Sequence, residues 1–274
     1  GYSVCLSQDG NELYIYRDDG YDGNIYYSTY SEGRWSPAEK LNDNINTKYF
    51  ESHACISNDG SELYFTSNRK GSIGGLDIYV SKKDSLGSWG PAVNLGPTIN
   101  TPFNEETPFL DSTNTVLFFS SRGHFNMGGH DVFYSTKIND EWSPPVNMGY
   151  PVNSTDDDLF FSPVGEGYIA YTSRFDTSGY GLEDIYRVEV FSDEHPRRFF
   201  VRGMVKLKDL LSRYNDSVKV SALNRSNLDT LVAVYSDPHT GKYEFEIPHG
   251  EYKIVYQADG SETVEKNINL GLTH

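Results

Sequence analysis

The stretch that decides the fold runs from Ser57 to Asn100 and reads SNDGSELYFTSNRKGSIGGLDIYVSKKDSLGSWGPAVNLGPTIN. Most of the N-terminal two-thirds of the chain repeats this unit. Its tryptophan recurs 54 and 53 residues apart, at Trp35, Trp89 and Trp142. The Asp-Ile-Tyr and Ile-Asn patterns recur in the same register, beginning at Asn24, Asp77, Asp131 and Asp184 and at Ile45, Ile99 and Val152. Strand-rich repeats of roughly 40–50 residues are typical of β-propeller blades.

Each unit predicts four antiparallel strands. A hairpin joins the first two strands at Asp9-Gly10 and Asp59-Gly60, because glycine accepts the positive φ that tight turns need. Asn114 takes that position in the third unit. The third strand carries Asp-Ile-Tyr, and the fourth begins at the tryptophan. Such sheets bury both faces by stacking radially, so we predict an all-β propeller with units at about 1–47, 48–101, 102–154 and 155–191.

The fourth unit ends after Asp184–Val190 and has no tryptophan-bearing strand. A sheet that stops at its third strand leaves an edge of unpaired backbone groups, which invites pairing with another chain. We therefore expect the four repeats to form part of a larger ring of six blades. Residues upstream of Gly1, adding about two blades, or a separate chain would complete it. The first and fourth sheets are not expected to close on each other.

The bulk composition excludes some partners. The chain has 274 residues and a formal net charge of −16, which argues against nucleic acid and anionic lipid surfaces. No apolar run is long enough for a transmembrane segment. Cys5 and Cys55 occupy the same position in adjacent units. We expect two buried thiols too far apart for an unstrained bridge, with a disulfide as the alternative.

Two further sets of repeated residues predict structural contacts. The tryptophans are expected to pack on a neighbouring strand of their own blade, because an aromatic ring buries a large area. An arginine follows the second strand and an aspartate opens the third, at Arg69 and Asp77, Arg122 and Asp131, and Arg174 and Asp184. A hairpin brings those ends together, which favours structural ion pairs. A ligand site lined by arginines is the alternative.

The segments that lead into the first strands are polar and acidic. In a propeller they lie near the central channel, so we predict a contact surface there. Its candidate residues are Glu51, His53, Glu105, Glu106, Asp157 and Asp158. The alternative is a set of solvated loops without a ligand.

The sequence offers no catalytic or metal-binding pattern. His53, His124 and His130 lack zinc spacing, and neither a Gly-x-Ser-x-Gly elbow nor a phosphate loop is present. The acidic loop 17–24 could supply oxygens for calcium but lacks the EF-hand pattern. We therefore expect no metal, no cofactor and no enzyme activity.

The repeat markers stop at Ser192. Residues 192–198 form a polar linker with a proline, and residues 199–274 alternate apolar and polar side chains around tight turns. Val218, Val220 and Ala222 show this alternation, as do the runs that begin at Tyr243 and Tyr252. Period-two alternation predicts a small antiparallel β-sandwich.

Two family resemblances follow from these residues. The repeat resembles the WD40-like (PD40) propeller repeat of the TolB type. The tail Thr240–Ile254, TGKYEFEIPHGEYKI, is similar to the transthyretin-like sandwich of carboxypeptidase-regulatory-like domains. In this order the two domains resemble the middle of OmpA-family cell-envelope proteins, including PorE-type components of the type IX secretion system.

The resemblance implies a non-catalytic scaffold of the periplasm, associated with the outer membrane. Its partners would be envelope or secretion-system proteins, and peptidoglycan would be bound only through a further domain that is not in this chain. A second interpretation is a propeller module that binds a glycan or a peptide in its channel. Fold alone does not separate the two.

Overall fold

The computed structural model describes residues 4–18, 22–165, 168–175, 179–181, 183–190, 196–206 and 217–271. The chain divides into two compact units, Gly1–Val190 and Phe191–His274. Every named element of regular structure in the described residues is a β-strand. Among those residues, no helix has the length and apolar character needed to cross a membrane.

The first unit contains four antiparallel sheets in chain order, one for each sequence repeat. The first sheet consists of β1 (Val4–Leu6), β2 (Glu12–Asp18), β3 (Gly23–Ser31), β4 (Arg34–Trp35) and β5 (Glu39–Lys40). The second consists of β6 (Glu51–Ile56), β7 (Glu62–Ser67), β8 (Asp77–Lys82) and β9 (Val93–Asn94). The third consists of β10 (Glu105–Leu110), β11 (Val116–Ser121), β12 (Asp131–Ile138), β13 (Glu141–Trp142) and β14 (Val146–Asn147). The fourth consists of β15 (Leu159–Val164), β16 (Ile169–Arg174) and β17 (Asp184–Glu189).

The first hairpin of each of the first three sheets has the predicted geometry. Gly10 and Gly60 have φ of 73°, and Asn114 takes their place with φ of 59°. These angles lie in the left-handed region, which glycine adopts at no steric cost and asparagine tolerates. The sequence pattern therefore located these turns correctly.

The fourth strand of a blade is broken into two short pieces. In the third sheet, Trp142 pairs with Lys137 and Val146 pairs with Tyr134. Pro144 lies between the two pairs and has no N–H to donate to the ladder. The Trp-Ser-Pro pattern thus places the tryptophan at one end of the outer strand and the Val-Asn pair at the other.

The sheets pack against one another in chain order, and each first strand lies at the inner edge. Ile25, Ile78 and Val132 lie near the start of the third strands of three blades and are fully buried. Within the described residues, the first and fourth sheets do not pack face to face. The first unit is therefore an open arc of four propeller blades, as expected from the short fourth repeat.

The second unit contains two antiparallel sheets that share one core. A two-stranded sheet pairs β18 (Arg198–Met204) with β21 (Lys242–Pro248). A four-stranded sheet has the order β20-β19-β22-β23, formed by β19 (Lys219–Asn224), β20 (Thr230–Tyr235), β22 (Gly250–Gln257) and β23 (Val264–Leu270). Val220 and Ile254 of the larger sheet lie in the same core as Phe245 and Ile247 of the smaller one. Residues 192–195 of the predicted linker lie outside the described residues.

Candidate functional site

The innermost strands of blades two to four carry a bulge at one repeated position. His53, Thr107 and Phe160 have φ of 42°, 51° and 59°. The strand register shifts beside each of them. Such angles are uncommon for residues with a Cβ, and bulges re-aim the neighbouring side chains. Here the bulges bring the rings of His53 and Phe160 together, with centroids 5.5 Å apart.

A small cavity lies between the innermost strands of all four blades. Cys5, His53, Thr107 and Phe160 each contribute one wall of it. Its volume of 80 Å³ is room for about two or three water molecules at roughly 30 Å³ each. Pockets that bind small molecules are usually about 300–1,000 Å³. This cavity is therefore smaller than a usual site for a sugar ring or a peptide.

Three of the six predicted contact residues do not face this channel. Glu51, Glu105 and Asp158 are at most 1% exposed. Each carboxylate accepts a hydrogen bond from the backbone N–H four residues earlier; for Glu105 the donor is Thr101, at 2.8 Å. Burial raises the pKa of both Glu105 and Asp158. These carboxylates hold the segment before each first strand against the blade that it enters. The prediction of contact residues was therefore wrong at these positions.

The other three predicted residues, His53, Glu106 and Asp157, lie around His130, which the spacing of the sequence did not connect with them. We call His53, Glu106, Arg122, His130 and Asp157 the histidine cluster. Glu106 lies between the two rings, with Oε2 3.7 Å from His53 Nδ1 and Oε1 3.5 Å from His130 Nε2. Asp157 Oδ1 lies 2.9 Å from His130 Nδ1 and 3.1 Å from Arg122 Nη2. Four segments of the chain thus meet in one charged group.

The two histidines of the cluster have opposite electrostatic environments. Burial lowers the pKa of His53 and outweighs the attraction of Glu106. Burial also acts to lower the pKa of His130, but Glu106 and Asp157 outweigh it and the pKa is raised. The hydrogen bonds from His130 and Arg122 overcome burial in turn and lower the pKa of Asp157 to about 2. His130 therefore holds its proton at a pH where His53 has lost it.

We expect His130 and His53 to titrate on opposite sides of the ordinary histidine pKa in an NMR titration of their ring resonances. Because the pKa of the His130 ring is higher in the folded than in the unfolded state, its protonation stabilises the fold below the unfolded-state pKa. That stabilisation is lost as the pH rises through the folded-state pKa. Because the pKa of the His53 ring is lower in the folded than in the unfolded state, its neutral form stabilises the fold above the unfolded-state pKa. That stabilisation is lost as the pH falls through the folded-state pKa. Glu106→Gln should lower the pKa of His130. Coincident titration of the two rings would contradict this assignment.

The predicted arginine–aspartate pairs within hairpins do not form. Arg69 Nη2 lies 3.3 Å from Glu51 Oε1, not beside Asp77. Asp77 instead accepts hydrogen bonds from the backbone of Ile73 at 2.6 Å and from Asn94 Nδ2 at 2.7 Å. The aspartate thus caps the glycine-containing turn before the third strand, and the arginine turns toward the connection from the previous blade.

In the third and fourth blades the aspartate again accepts from the backbone of the turn before the third strand, but Arg122 turns toward the next blade and only Arg174 turns toward the connection from the previous one. Arg122 contacts Asp157, while Asp131 accepts from the backbone N–H of Met127. Arg174 donates to the carbonyl of Pro151, while Asp184 accepts from the backbone of Tyr180. The alternative of a ligand site lined by arginines receives no support from this geometry, because the arginines bind different parts of their own blade boundaries.

The two cysteines lie on the innermost strands of the first two blades, and their state agrees with the prediction of buried thiols rather than a disulfide. Both are free, buried thiols. Cys5 Sγ accepts a hydrogen bond from the N–H of Ile56 at 3.3 Å, and Cys55 Sγ accepts one from Leu110 at 3.4 Å. A hydrogen bond between the two thiols lowers the pKa of Cys5 and raises that of Cys55. Each sulfur thus links its innermost strand to that of the next blade.

The structure offers no metal site within its described part. No group of three or more His, Cys, Asp or Glu side chains there could hold an ion. Residues 19–21 of the acidic loop considered for calcium lie outside the described residues.

The tryptophans occupy equivalent positions, as predicted, and two of them also pack across a blade boundary. The ring of Trp89 in blade two meets Tyr14 of blade one edge-on, with centroids 6.4 Å apart. Trp142 of blade three meets Tyr64 of blade two in the same way at 6.2 Å. The predicted contact with the neighbouring strand of the same blade is present as well, because Lys83 and Lys137 pair with these tryptophans and lie over their rings. The prediction missed the contact with the previous blade, which radial stacking brings against the other side of the indole.

The two ends of the arc expose residues that the other blades bury. Trp35 is 40% exposed, whereas Trp89 is 5% exposed. Tyr171, at the position of Tyr14, is 43% exposed. Ile185 is 82% exposed, although its equivalents Ile25, Ile78 and Val132 are fully buried. We call Tyr30 and Trp35 the first end face, and Tyr171 and Ile185 the last end face. The repeat register alone could have identified these residues.

Solved structures similar to this chain include two TolB-type proteins and a peptidase. TolB from Acinetobacter baumannii is 10% identical with a TM-score of 0.44, over 90% of this chain and 54% of its own. A TolB-type structure from Agrobacterium tumefaciens is 14% identical with a TM-score of 0.44, over 89% and 72%. Prolyl oligopeptidase B from Galerina marginata is 10% identical with a TM-score of 0.38, over 99% and 34%. The chain spans about half the length of the Acinetobacter protein. No protein-family description matches the chain, and no curated protein matches it.

Proposed function

We propose that this chain is a non-catalytic interaction module of the cell envelope, located in the periplasm, that binds protein partners through the ends of its propeller arc. The proposal rests on the exposure of the two end faces. Ile185 is 82% exposed at a position that three other blades bury completely. Large apolar side chains grouped on a surface mark interaction sites.

A partner that covered the end faces would bury their apolar side chains. Each of these side chains would contribute about 1.5–3 kcal/mol on full burial, and aromatic residues dominate the energetics of interfaces. Trp35 and Tyr30 already pack on each other, with centroids 5.1 Å apart, and so form a preorganised apolar surface. A protein surface that supplies the complementary tyrosine would fit this face as Tyr14 fits Trp89.

The finer features of the proposal follow from the sequence resemblance. The arc would belong to a ring of six blades, in which the partner bound at the end faces takes the place of the two blades that these four sheets lack. The second unit would be a carboxypeptidase-regulatory-like sandwich. The partners would be outer-membrane or secretion-system proteins of the type IX kind. Contact with peptidoglycan would come through a further domain that is not in this chain. The net charge of −16 fits a partner with a basic surface.

The proposal is tested by photo-crosslinking in envelope preparations. A photoreactive amino acid at Trp35 or Ile185 should yield discrete adducts with an envelope protein, identified by mass spectrometry. Leu86 and Phe125 are 89% and 95% exposed and lie on loops of blades two and three, so they serve as matched controls. Adducts of equal yield at all four positions, or none at 35 and 185, would refute the proposal.

A second candidate is recognition of a glycan or peptide at the channel, and the histidine cluster favours it. Glu106 is partly buried between two imidazoles at the inner strands, an arrangement able to bind a polar group. The 80 Å³ cavity ranks this candidate below the first. Soluble peptidoglycan fragments or oligosaccharides that bind in calorimetry, and lose binding in Glu106→Gln, would reverse that order.

A further inference from the structure

The imidazole of His53 is a meeting point of all four blades. It belongs to β6 of blade two, and its ring centroid lies 6.4 Å from that of Tyr16 in blade one. Glu106 Oε2 of blade three lies 3.7 Å from its Nδ1. The ring of Phe160 in blade four meets it edge-on, with centroids 5.5 Å apart. A single ring at the inner strands thus joins blade two to blade four, which are not neighbours in the chain.

The surroundings of this ring favour its neutral form. The side chain of His53 is 16% exposed and lies between two aromatic rings. Ser52 Oγ lies 3.1 Å from its Nδ1. The titratable groups that face it from the strands and turns packed around it are Cys5, Tyr16, Glu106 and His130. Removal from water disfavours the charged imidazole, and the pKa of His53 is lowered accordingly.

The charges of the histidine cluster balance while His53 is neutral. Arg122 and a protonated His130 carry the positive charges, and Glu106 and Asp157 carry an equal number of negative ones. Glu106 Oε1 lies 3.5 Å from His130 Nε2, so this carboxylate already faces one imidazolium. A proton on His53 places a second imidazolium against the same carboxylate and leaves the cluster with an uncompensated positive charge. Like charges repel most strongly where little water screens them.

We propose that His53 is a pH-sensitive contact, which holds blade four to blade two while it is neutral and loosens blade four when it is protonated. The element that is loosened is β15, because Phe160 belongs to it. Phe160 has φ of 59°, and a backbone angle of this kind persists only where the surrounding contacts maintain it. The loosening itself is independent of the proposed function. Its effect on a partner bound at the last end face, which blade four carries, rests on that function.

The direction of the effect follows from the lower pKa of His53 in the closed arc than in the opened one. The neutral ring stabilises the closed β15 above the ordinary histidine pKa, and that stabilisation is lost as the pH falls through the folded-state pKa. His130 acts in the opposite direction, because it gains its proton as the pH falls and then binds Asp157 more strongly. A variant that lacks only the His53 imidazole therefore separates the two histidines.

Hydrogen–deuterium exchange of the full chain, measured by mass spectrometry at about pH 7.5 and about pH 5, tests the proposal. After correction for the pH dependence of intrinsic exchange, the protection of β15 amides should fall by roughly threefold or more in acid. Strand β19 of the second unit serves as the internal reference. His53→Phe keeps an aromatic ring, and Phe160 shows that phenylalanine is accommodated at this repeat position with a positive φ. In this variant the fall in protection should disappear.

His53→Asn is the second variant, because asparagine tolerates a positive φ but supplies no ring. Its β15 should exchange at about pH 7.5 as rapidly as that of the wild-type chain does at about pH 5. Circular dichroism melting establishes that both variants are folded. No fall in the wild-type chain, an equal fall in His53→Phe, or full protection in His53→Asn overturns the inference. Crosslinking at Trp35 is measured at neutral pH and does not depend on these results, so failure here is distinguishable from failure of the proposed function.

Discussion

Trp89→Ala is expected to lower the free energy of unfolding by about 3–5 kcal/mol, the usual cost of truncating a buried aromatic residue. Trp89 is 5% exposed, and its ring packs on Tyr14 of the previous blade. Lys83 Nζ lies 4.9 Å from the ring centroid on its own blade. The substitution therefore opens a cavity at the boundary between blades one and two and removes a cation–π contact. Urea denaturation followed by tyrosine fluorescence and circular dichroism measures the change.

Trp35→Ala is the matched control, because Trp35 holds the same repeat position and is 40% exposed. Its effect should stay below about 1 kcal/mol, as is usual for surface positions whose contacts are few. Equal losses in the two variants would show that the contacts within the blade dominate, and would contradict a stabilising role for the contact across the boundary.

Arg69→Met is expected to cost about 3–5 kcal/mol, the range for removing one partner of a buried ion pair. The side chain of Glu51 is 0% exposed and that of Arg69 is 12% exposed. The guanidinium also donates to the carbonyl oxygens of Asn44 and Ile45, on the connection from blade one. Methionine keeps an apolar stem but removes the guanidinium that lies over the Phe65 ring, and it leaves the Glu51 carboxylate buried without its countercharge.

Arg122→Met provides the comparison for Arg69→Met. Arg122 follows the second strand of blade three as Arg69 does in blade two, but its pair with Asp157 is about half exposed on both sides. Exposed pairs contribute roughly 0–1 kcal/mol, so the loss should be small. Denaturation of both variants at pH 7 measures the loss of unfolding free energy in each. A cost for Arg122→Met as large as that for Arg69→Met would invalidate the distinction between buried and exposed pairs.

The local structure of this protein followed from its sequence. The three repeat markers located four sheets, because strand periodicity and turn chemistry act over a few residues. Asn114 in place of a glycine was recognised from its tolerance of positive φ, and its φ of 59° agrees. The absence of an outer strand in the fourth unit followed in the same way, because that unit of the sequence has no tryptophan-bearing segment. It led to the expectation of an open arc with an unprotected edge at β17.

The partners of the repeated side chains were decided only by tertiary structure. A repeat period shows which residues are equivalent, but not which blade each of them touches. Trp89 meets Tyr14, 75 residues away, because radial stacking brings successive sheets face to face. Glu51 and Glu106 both belong to the acidic segments that lead into first strands. A bulge and the alternation of the strand bury Glu51 under Arg69 and turn Glu106 toward His130. Acidic residues of equivalent segments thus acquired different roles through packing, which the repeat period alone does not encode.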